Sequence, residues 1–370
     1  MKITDVTLEL FSWDGVPNVR YGAHSPGVAS HKACLGLLTI STDQGLQGHA
    51  FLGSSSRSAE LDGYSLIAAL KPVILGKDPL DREKLNKLLF QRFRMTTYRC
   101  IGAVDVALWD IAGKCANLPI YQLMGAARTR IPAYASSMAF DGAAAYIDDA
   151  LAIQAQNWAA YKIHPPARRQ EDIAICRAVR KAVGDDYLLM LDSTWGYSYE
   201  DAIRVGREIQ DLGFYWYEDP LAEDDIFNYV KLKQHLHIPM VATEHSPGGL
   251  SSYAPWIIHQ ATDVLRGDVA IKGGLTACLK AAHLAEAFHM NYEIHHGGNS
   301  LNNVANLHLI CAIANSEFFE VLLPAAAHKY GLVEDIEIDK DGYVHVPTGP
   351  GLGVEIDFAA ITKGRIALLT

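Results

Sequence analysis

The chain has 370 residues, of which 49% are hydrophobic, and its formal net charge is −10. This length and composition allow a large buried core and leave room for two domains. The acidic balance argues against nucleic acid or an anionic membrane as the main partner, because both require a basic surface. The six cysteines are scattered without a CxxC pair, and the N-terminus lacks the apolar run of a signal peptide, so we expect a soluble cytoplasmic protein.

Residues 1–125 are predicted to form an α+β block. Strand-like alternation in "ITDVTLELFSW" and "ACLGLLTISTD" is followed by helical periodicity in "LDGYSLIAALKPVIL" and "GAVDVALWDIAGKCA". Two stretches rich in Gly, Ser and Pro, at 21–33 and 53–60, are predicted loops.

From about residue 130, short apolar strands alternate with helical segments. The strands begin near residues 131, 159, 187, 214, 239, 263, 291 and 318. Eight such units predict an α/β fold in which residues 126–328 form a parallel β/α barrel. A doubly wound open sheet is the alternative, but it would need a glycine-rich GxGxxG turn after its first strand, which the sequence lacks. The turn-rich tail, 329–370, is predicted to return to the N-terminal block.

Acidic residues end three consecutive predicted strands at a spacing of 26 residues: Asp192, Glu218 and Glu244. The carboxyl ends of barrel strands meet at one mouth, where these carboxylates would repel one another unless a cation neutralised them. Oxygen ligands favour Mg²⁺, whereas zinc would want thiolate or nearby imidazole ligands. Each acid taken alone could instead cap a helix, as Asp192 could before "STWGYS". Three acids in register favour a metal site.

The next two strands carry Asp268 and His295 at their ends. A carboxylate that holds one imidazole nitrogen makes the other nitrogen a better base. The alternative is a buried histidine with only a structural role. We prefer His295 over His296 because Ile294 should face away from the mouth, and we expect His296 either to support the site from behind or to contact the substrate.

Lys162 and His164 end the second predicted strand, where residues two apart share a face. Alone, they would be expected to reach solvent. Beside the acids and His295 they would instead flank a substrate on two sides. That arrangement suits removal of a proton from the carbon next to a carboxylate, a step that Mg²⁺ can assist by stabilising the negative charge.

Several motifs together resemble those of the enolase superfamily, specifically its mandelate racemase-like subgroup. They are "AVDVALWDIAGKCANLPIYQLMG", the Lys-x-His pair, the acidic triad, "GDVAIKGGLT" and "YEIHH". The resemblance implies a modified barrel, (β/α)7β, under an α+β cap formed by residues 1–125 and the C-terminal tail. It also implies that the triad binds Mg²⁺, that Asp268 and His295 form the base, and that Glu320 in "FFEVL" hydrogen-bonds a substrate carboxylate.

The resemblance further implies that the two cap loops contact the distal end of the substrate. Candidate residues there are His24, Lys32 and Arg57, although a solvated loop charge is the alternative for each. Racemases and cycloisomerases of this kind usually carry Lys-x-Lys on strand two, and here the second lysine is His164. A histidine remains a competent base or acid near neutral pH.

The resemblance therefore implies proton abstraction to a Mg²⁺-stabilised enediolate. We favour dehydration of an aldonic or aldaric acid to a 2-keto-3-deoxy acid, because the polar cap loops suit hydroxyl groups better than an aromatic substrate. Racemisation or epimerisation, lactone cycloisomerisation, and a non-catalytic metal-binding barrel are the alternatives. The resemblance also suggests a homo-oligomer built from dimers, such as an octamer.

Overall fold

The computed structural model describes residues 1–22 and 32–370, and of Lys32 it describes the backbone. The candidate residue His24 and the side chain of Lys32 therefore lie outside the described part. Within that part, no helix combines the length and the hydrophobicity needed to cross a bilayer.

A four-stranded antiparallel sheet organises the N-terminal half. Its order is β13-β1-β2-β3, formed by β1 (Ile3–Asp14), β2 (Lys32–Thr42), β3 (Gln47–Leu52) and the C-terminal β13 (Arg365–Leu369). The period-two pattern of β1 buries Val6, Leu8 and Leu10 on one face. Leu8 lies opposite Leu369, so the end of the chain completes this sheet.

Helices cover this sheet and lead toward the barrel. They are α1 (Ala59–Ala69), α2 (Lys71–Ile74), α3 (Arg82–Phe90), α4 (Tyr98–Ala116) and α5 (Ile120–Met124), with α13 (Phe358–Lys363) near the C-terminus. The side chain of Thr97 caps the start of α4 by accepting from the Cys100 N–H. A Cβ at Gly102 would lie 2.2 Å from the carbonyl oxygen of Val269, so this glycine allows α4 to pack directly on the chain after Asp268.

Among the described residues, eight parallel strands form the curled sheet of the barrel. They are β4 (Arg130–Ser136), β5 (Ala160–Ile163), β6 (Leu188–Asp192), β7 (Trp216–Glu218), β8 (Met240–Ala242), β9 (Val264–Gly267), β10 (Asn291–Ile294) and β11 (Phe319–Leu322). The ladder runs in chain order from β4 to β10, and β11 pairs with β4. Each strand overlaps one that the sequence predicts, and the predicted fold class is confirmed.

The outer helices follow the strands as the alternating pattern predicts. They are α6 (Ala143–Ala155), α7 (Arg169–Val183), α8 (Tyr199–Asp211), α9 (Ile226–Lys233), α10 (Tyr253–Ile258), α11 (Leu275–Ala287) and α12 (Ser300–Ala312). The C-terminal segment serves both sheets, because β12 (Tyr343–His345) pairs antiparallel with β4 before β13 joins the cap.

The barrel interior is layered by the two-residue period of its strands. An apolar cluster that includes Ala160, Met190 and Trp216 fills one level. Two residues further along the same strands stand Lys162, Asp192 and Glu218, all buried. Alternate residues of a strand share a face, so the residue two positions after each of these apolar side chains also points into the barrel, nearer the mouth. In these three strands that residue is charged.

Candidate active site

A cavity of about 260 Å³ lies where the carboxyl ends of the barrel strands meet the cap. Its size suits a substrate smaller than a drug-like ligand. The barrel supplies most of the charged lining: Lys162, His164, Asp192, Glu244, Asp268, His295, His296 and Glu320. The cap and the segment before β2 supply Tyr21, Ser54, Ser56 and Arg99. The sequence-predicted residues of the barrel therefore come together at one mouth.

Lys162 is the cationic centre of the cavity floor, and its side chain is 1% exposed. Its Nζ lies 2.7 Å from Glu320 Oε1, 3.0 Å from Glu218 Oε2 and 3.2 Å from Asp192 Oδ2. Burial alone would lower the pKa of Lys162, but the surrounding carboxylates raise it well above its usual value. With these neighbours Lys162 is held as an ammonium ion, which can bind a carboxylate.

Arg266 on β9 is a second buried cation, and it is not among the residues predicted from the sequence. Its Nε lies 2.6 Å from Glu218 Oε1 and 3.2 Å from Glu244 Oε2, and its Nη2 pairs with Glu320. Tyr134 accepts a further hydrogen bond from Nη2 at 3.0 Å. The signal was present in "VLRGD", because Arg266 precedes Asp268 by two and shares its face of the strand.

The three acids of the predicted metal site are buried on adjacent strands, and Asp192 lies opposite Glu218 in the β6–β7 register. Lys162 and Arg266 lie between them. Within residues 1–22 and 32–370, no three potential ligand side chains are grouped closely enough to enclose a metal ion as they stand. The donor set itself, three buried carboxylates at one mouth, fits a hard cation such as Mg²⁺.

The pKa values of these acids are shifted in different directions. Burial would raise the pKa of Asp192, but Lys162 and His164 lower it to about 2. Burial raises the pKa of Glu218 to about 7, in spite of the lowering effect of Arg266 and Lys162. The charge on Glu218 is therefore incompletely neutralised by the side chains around it, and an additional cation at this level would stabilise it.

Asp268 and His295 form the predicted pair. The Nδ1–H of His295 donates to Asp268 Oδ2 at 2.6 Å, which leaves Nε2 facing the cavity 3.2 Å from Glu244 Oε1. Burial would lower the pKa of His295, but Glu244 and Asp268 raise it to about 9. Glu244 has the largest raising effect, so a cation bound to Glu244 would return the pKa of His295 toward the range of a base near neutral pH.

His164 stands on β5, across the mouth from β10. Its Nδ1–H donates to the carbonyl oxygen of Ser137 at 2.6 Å, and its Nε2 lies 3.0 Å from Asp192 Oδ2. A backbone carbonyl oxygen can only accept a hydrogen bond, so Nδ1 carries a proton and Nε2 is the ring nitrogen directed toward Asp192. This position makes His164 the candidate proton donor, opposite a base on His295.

Glu320 and His296 meet on the side of β11. Glu320 binds Lys162 and Arg266 and accepts from the backbone N–H of His296 at 2.9 Å. The ring of His296 lies 2.8 Å from Asn303 Nδ2 and accepts from Gly298 N–H at 3.1 Å. Burial lowers the pKa of His296 well below its usual value, so its ring is neutral in the cavity wall.

The cap contributes a different arginine from the one expected. Arg57 forms a bidentate pair with Asp62, with N···O distances of 2.9 and 3.0 Å, and is absent from the lining of the described cavity. That placement runs against a substrate contact for Arg57. Arg99, at the start of α4, reaches the cavity instead. The local sequence does not show which of the two arginines reaches the cavity, because both lie in or beside polar segments of the cap.

Two family models match the chain over most of its length. Residues 16–125 match the mandelate racemase / muconate lactonizing enzyme N-terminal domain, and residues 145–360 match the enolase C-terminal domain-like family. Arabinonate dehydratase of Saccharolobus solfataricus is 27% identical over 96% of each chain. D-Galactarolactone cycloisomerase of Agrobacterium fabrum is 28% identical over 89% of this chain and 91% of its own.

The crystal structure of D-glucarate dehydratase from Agrobacterium tumefaciens, complexed with magnesium, superposes with a TM-score of 0.89 at 34% identity. That alignment covers 99% of this chain and 100% of the other. The chain belongs to the mandelate racemase and muconate lactonizing enzyme family of the enolase superfamily.

Proposed function

We propose that the protein dehydrates an aldonic or aldaric acid to a 2-keto-3-deoxy acid. The observation that carries the proposal is the pair of histidines on opposite sides of the mouth. His295 has its Nδ1–H tied to Asp268, and His164 has its Nδ1–H tied to a backbone carbonyl. Each therefore directs Nε2 toward the acids of the cavity, His164 toward Asp192 and His295 toward Glu244. Once a cation holds those acids, one Nε2 is suited to take a proton and the other to give one. Dehydratases among the relatives agree with this chemistry.

The substrate carboxylate would bind at the cavity floor beside Lys162, whose ammonium charge is fixed by its surroundings. Asp192, Glu218 and Glu244 are the residues that would hold Mg²⁺. The bound ion supplies positive charge that stabilises the carboxylate oxygens while negative charge develops on them. Glu320 orients this end of the site through its bonds to Lys162 and Arg266.

The reaction divides between the two histidines. His295 Nε2 removes the proton on C2, and Asp268 stabilises the imidazolium that forms. The electron pair of the C2–H bond then forms the C2–C3 double bond of an enol as the C3–O bond breaks. His164 protonates the departing hydroxyl, so that water leaves. The enol then takes up a proton at C3 and loses the proton of its C2 hydroxyl, which gives the 2-keto product. Two protons are taken from the substrate and two are given to it, so the net change is the loss of water.

A library of aldonic and aldaric acids, incubated with the protein and Mg²⁺, tests the proposal. We expect a 2-keto-3-deoxy product, detected by its new carbonyl group, and we expect none from the His295→Asn variant. The same samples in D₂O report exchange of the C2 proton by NMR. Exchange or inversion at C2 without a ketone would replace dehydration by epimerisation. Ring opening of a lactone without a ketone would indicate the cycloisomerase alternative.

A further inference from the structure

Arg99 is a cation of the cavity that the proposed chemistry does not use. It lies in the first turn of α4, is partly buried, and lines the cavity from the cap side together with Tyr21, Ser54 and Ser56. Gly102, one turn further along, packs α4 against the chain after Asp268 and so fixes where this turn stands over the mouth. The position of Arg99 is therefore set by helix packing and not by a free loop.

The guanidinium of Arg99 has no carboxylate within ion-pair distance among the described residues, and no hydrogen bond to any of them. The other arginines near the mouth differ in this respect. Arg57 is paired with Asp62, and Arg266 contacts three carboxylates. A partly buried cation without a counter-ion loses hydration without compensation, so its presence favours a ligand with negative charge.

The electrostatics of Arg99 agree with this geometry. Burial lowers the pKa of the guanidinium below its usual value, and the charge of Arg57 lowers it further, while Asp268 and Asp62 raise it only from beyond ion-pair distance. Lys162 differs from it, because its own carboxylate partners outweigh burial and raise its pKa. At the floor of the cavity Lys162 is therefore balanced by neighbouring carboxylates, whereas Arg99 at the roof has no such partner among the described residues.

We propose that Arg99 binds the second carboxylate of the substrate, which makes the substrate an aldaric acid and not an aldonic acid. This inference rests on the function proposed above. The first carboxylate binds at the barrel floor, and the far end of the molecule reaches the cap. The planar fork of a guanidinium matches a carboxylate through two parallel hydrogen bonds, whereas the terminal hydroxymethyl group of an aldonic acid offers neither the charge nor that geometry.

Pairs of substrates that differ only at C6 test the inference, such as glucarate with gluconate and galactarate with galactonate. For the configuration that is turned over, we expect the wild-type kcat/KM to favour the diacid. Arg99→Gln should lower kcat/KM for the diacid about 100-fold, mainly through KM, and change the monoacid less than about threefold. Arg99→Lys should recover part of the loss. Arg94→Gln, which removes an exposed cap arginine, is the matched control.

Two outcomes would overturn the inference: a wild-type preference for the monoacid, or an equal loss on both substrates in Arg99→Gln. The second would mean that Arg99 acts through the charge of Asp268, and a shifted pH profile would accompany it. Calorimetric titration of the Mg²⁺-loaded His295→Asn protein with the same acid pairs gives a readout without turnover. If no acid is turned over, the proposed function fails. The role of Arg99 would still be supported if adding Arg99→Gln to the His295→Asn protein weakened binding of the diacid and not of the monoacid.

Discussion

Replacing Asp268 by Asn tests whether His295 Nε2 is the base. In the structure Asp268 Oδ2 accepts from His295 Nδ1–H at 2.6 Å, and Oδ1 accepts from the backbone N–H groups of Ala270 and Ile271 at 2.5 and 2.9 Å. An asparagine would keep its oxygen on the two backbone donors and turn its NH₂ group toward His295. The imidazole must then accept at Nδ1 and carry its proton on Nε2, where no lone pair remains to receive the C2 proton.

We expect the Asp268→Asn variant to lose about 10³- to 10⁴-fold in kcat, as the equivalent change does in a serine protease triad. This loss corresponds to about 4–5.5 kcal/mol of activation free energy. The assay follows C2 proton exchange in D₂O and ketone formation on the same substrate. Thermal unfolding and Mg²⁺ titration serve as controls, because the backbone bonds and the metal ligands are retained. A rate within tenfold of wild type would refute the assignment of His295 as the base that Asp268 orients.

Three other changes give separate tests. Glu244→Gln should weaken Mg²⁺ binding at least about tenfold in calorimetric titration, whereas Glu293→Gln, a buried carboxylate deeper in the barrel, should leave it unchanged. Lys162→Met leaves its carboxylate partners unpaired and should lower the free energy of unfolding in urea by about 3–5 kcal/mol; a change below about 1 kcal/mol would contradict the ion-pair network. Burial lowers the pKa of His308 to about 4. The stability that the neutral, buried imidazole contributes is therefore fully present above the unfolded pKa near 6.5 and is lost as the pH falls toward 4. The stability that His308 contributes should therefore fall by about 2 kcal/mol between pH 7 and about 5, and His308→Gln should reduce the total loss of stability over that range.

Much of the barrel end of the site follows from local sequence. Asp192 and Glu218 end strands that alternate with a two-residue period, and parallel strands bring their carboxyl ends to one edge. Asp268 is likewise expected beside His295, because the strands that precede them are neighbours in both sequence and space. These contacts are predictable because each depends only on strand alternation and on the chain order of the barrel.

Other features depend on which elements pack together. The tertiary structure alone decides that Lys162 meets three acids from three different strands and that Arg266 shares them. The same holds for the cap, where Arg57 pairs within its own segment while Arg99 is carried over the mouth by α4. The physical reason is that strand period and polarity act over a few residues, whereas the partner of a buried charge is set by the packing of cap on barrel, which no local pattern specifies.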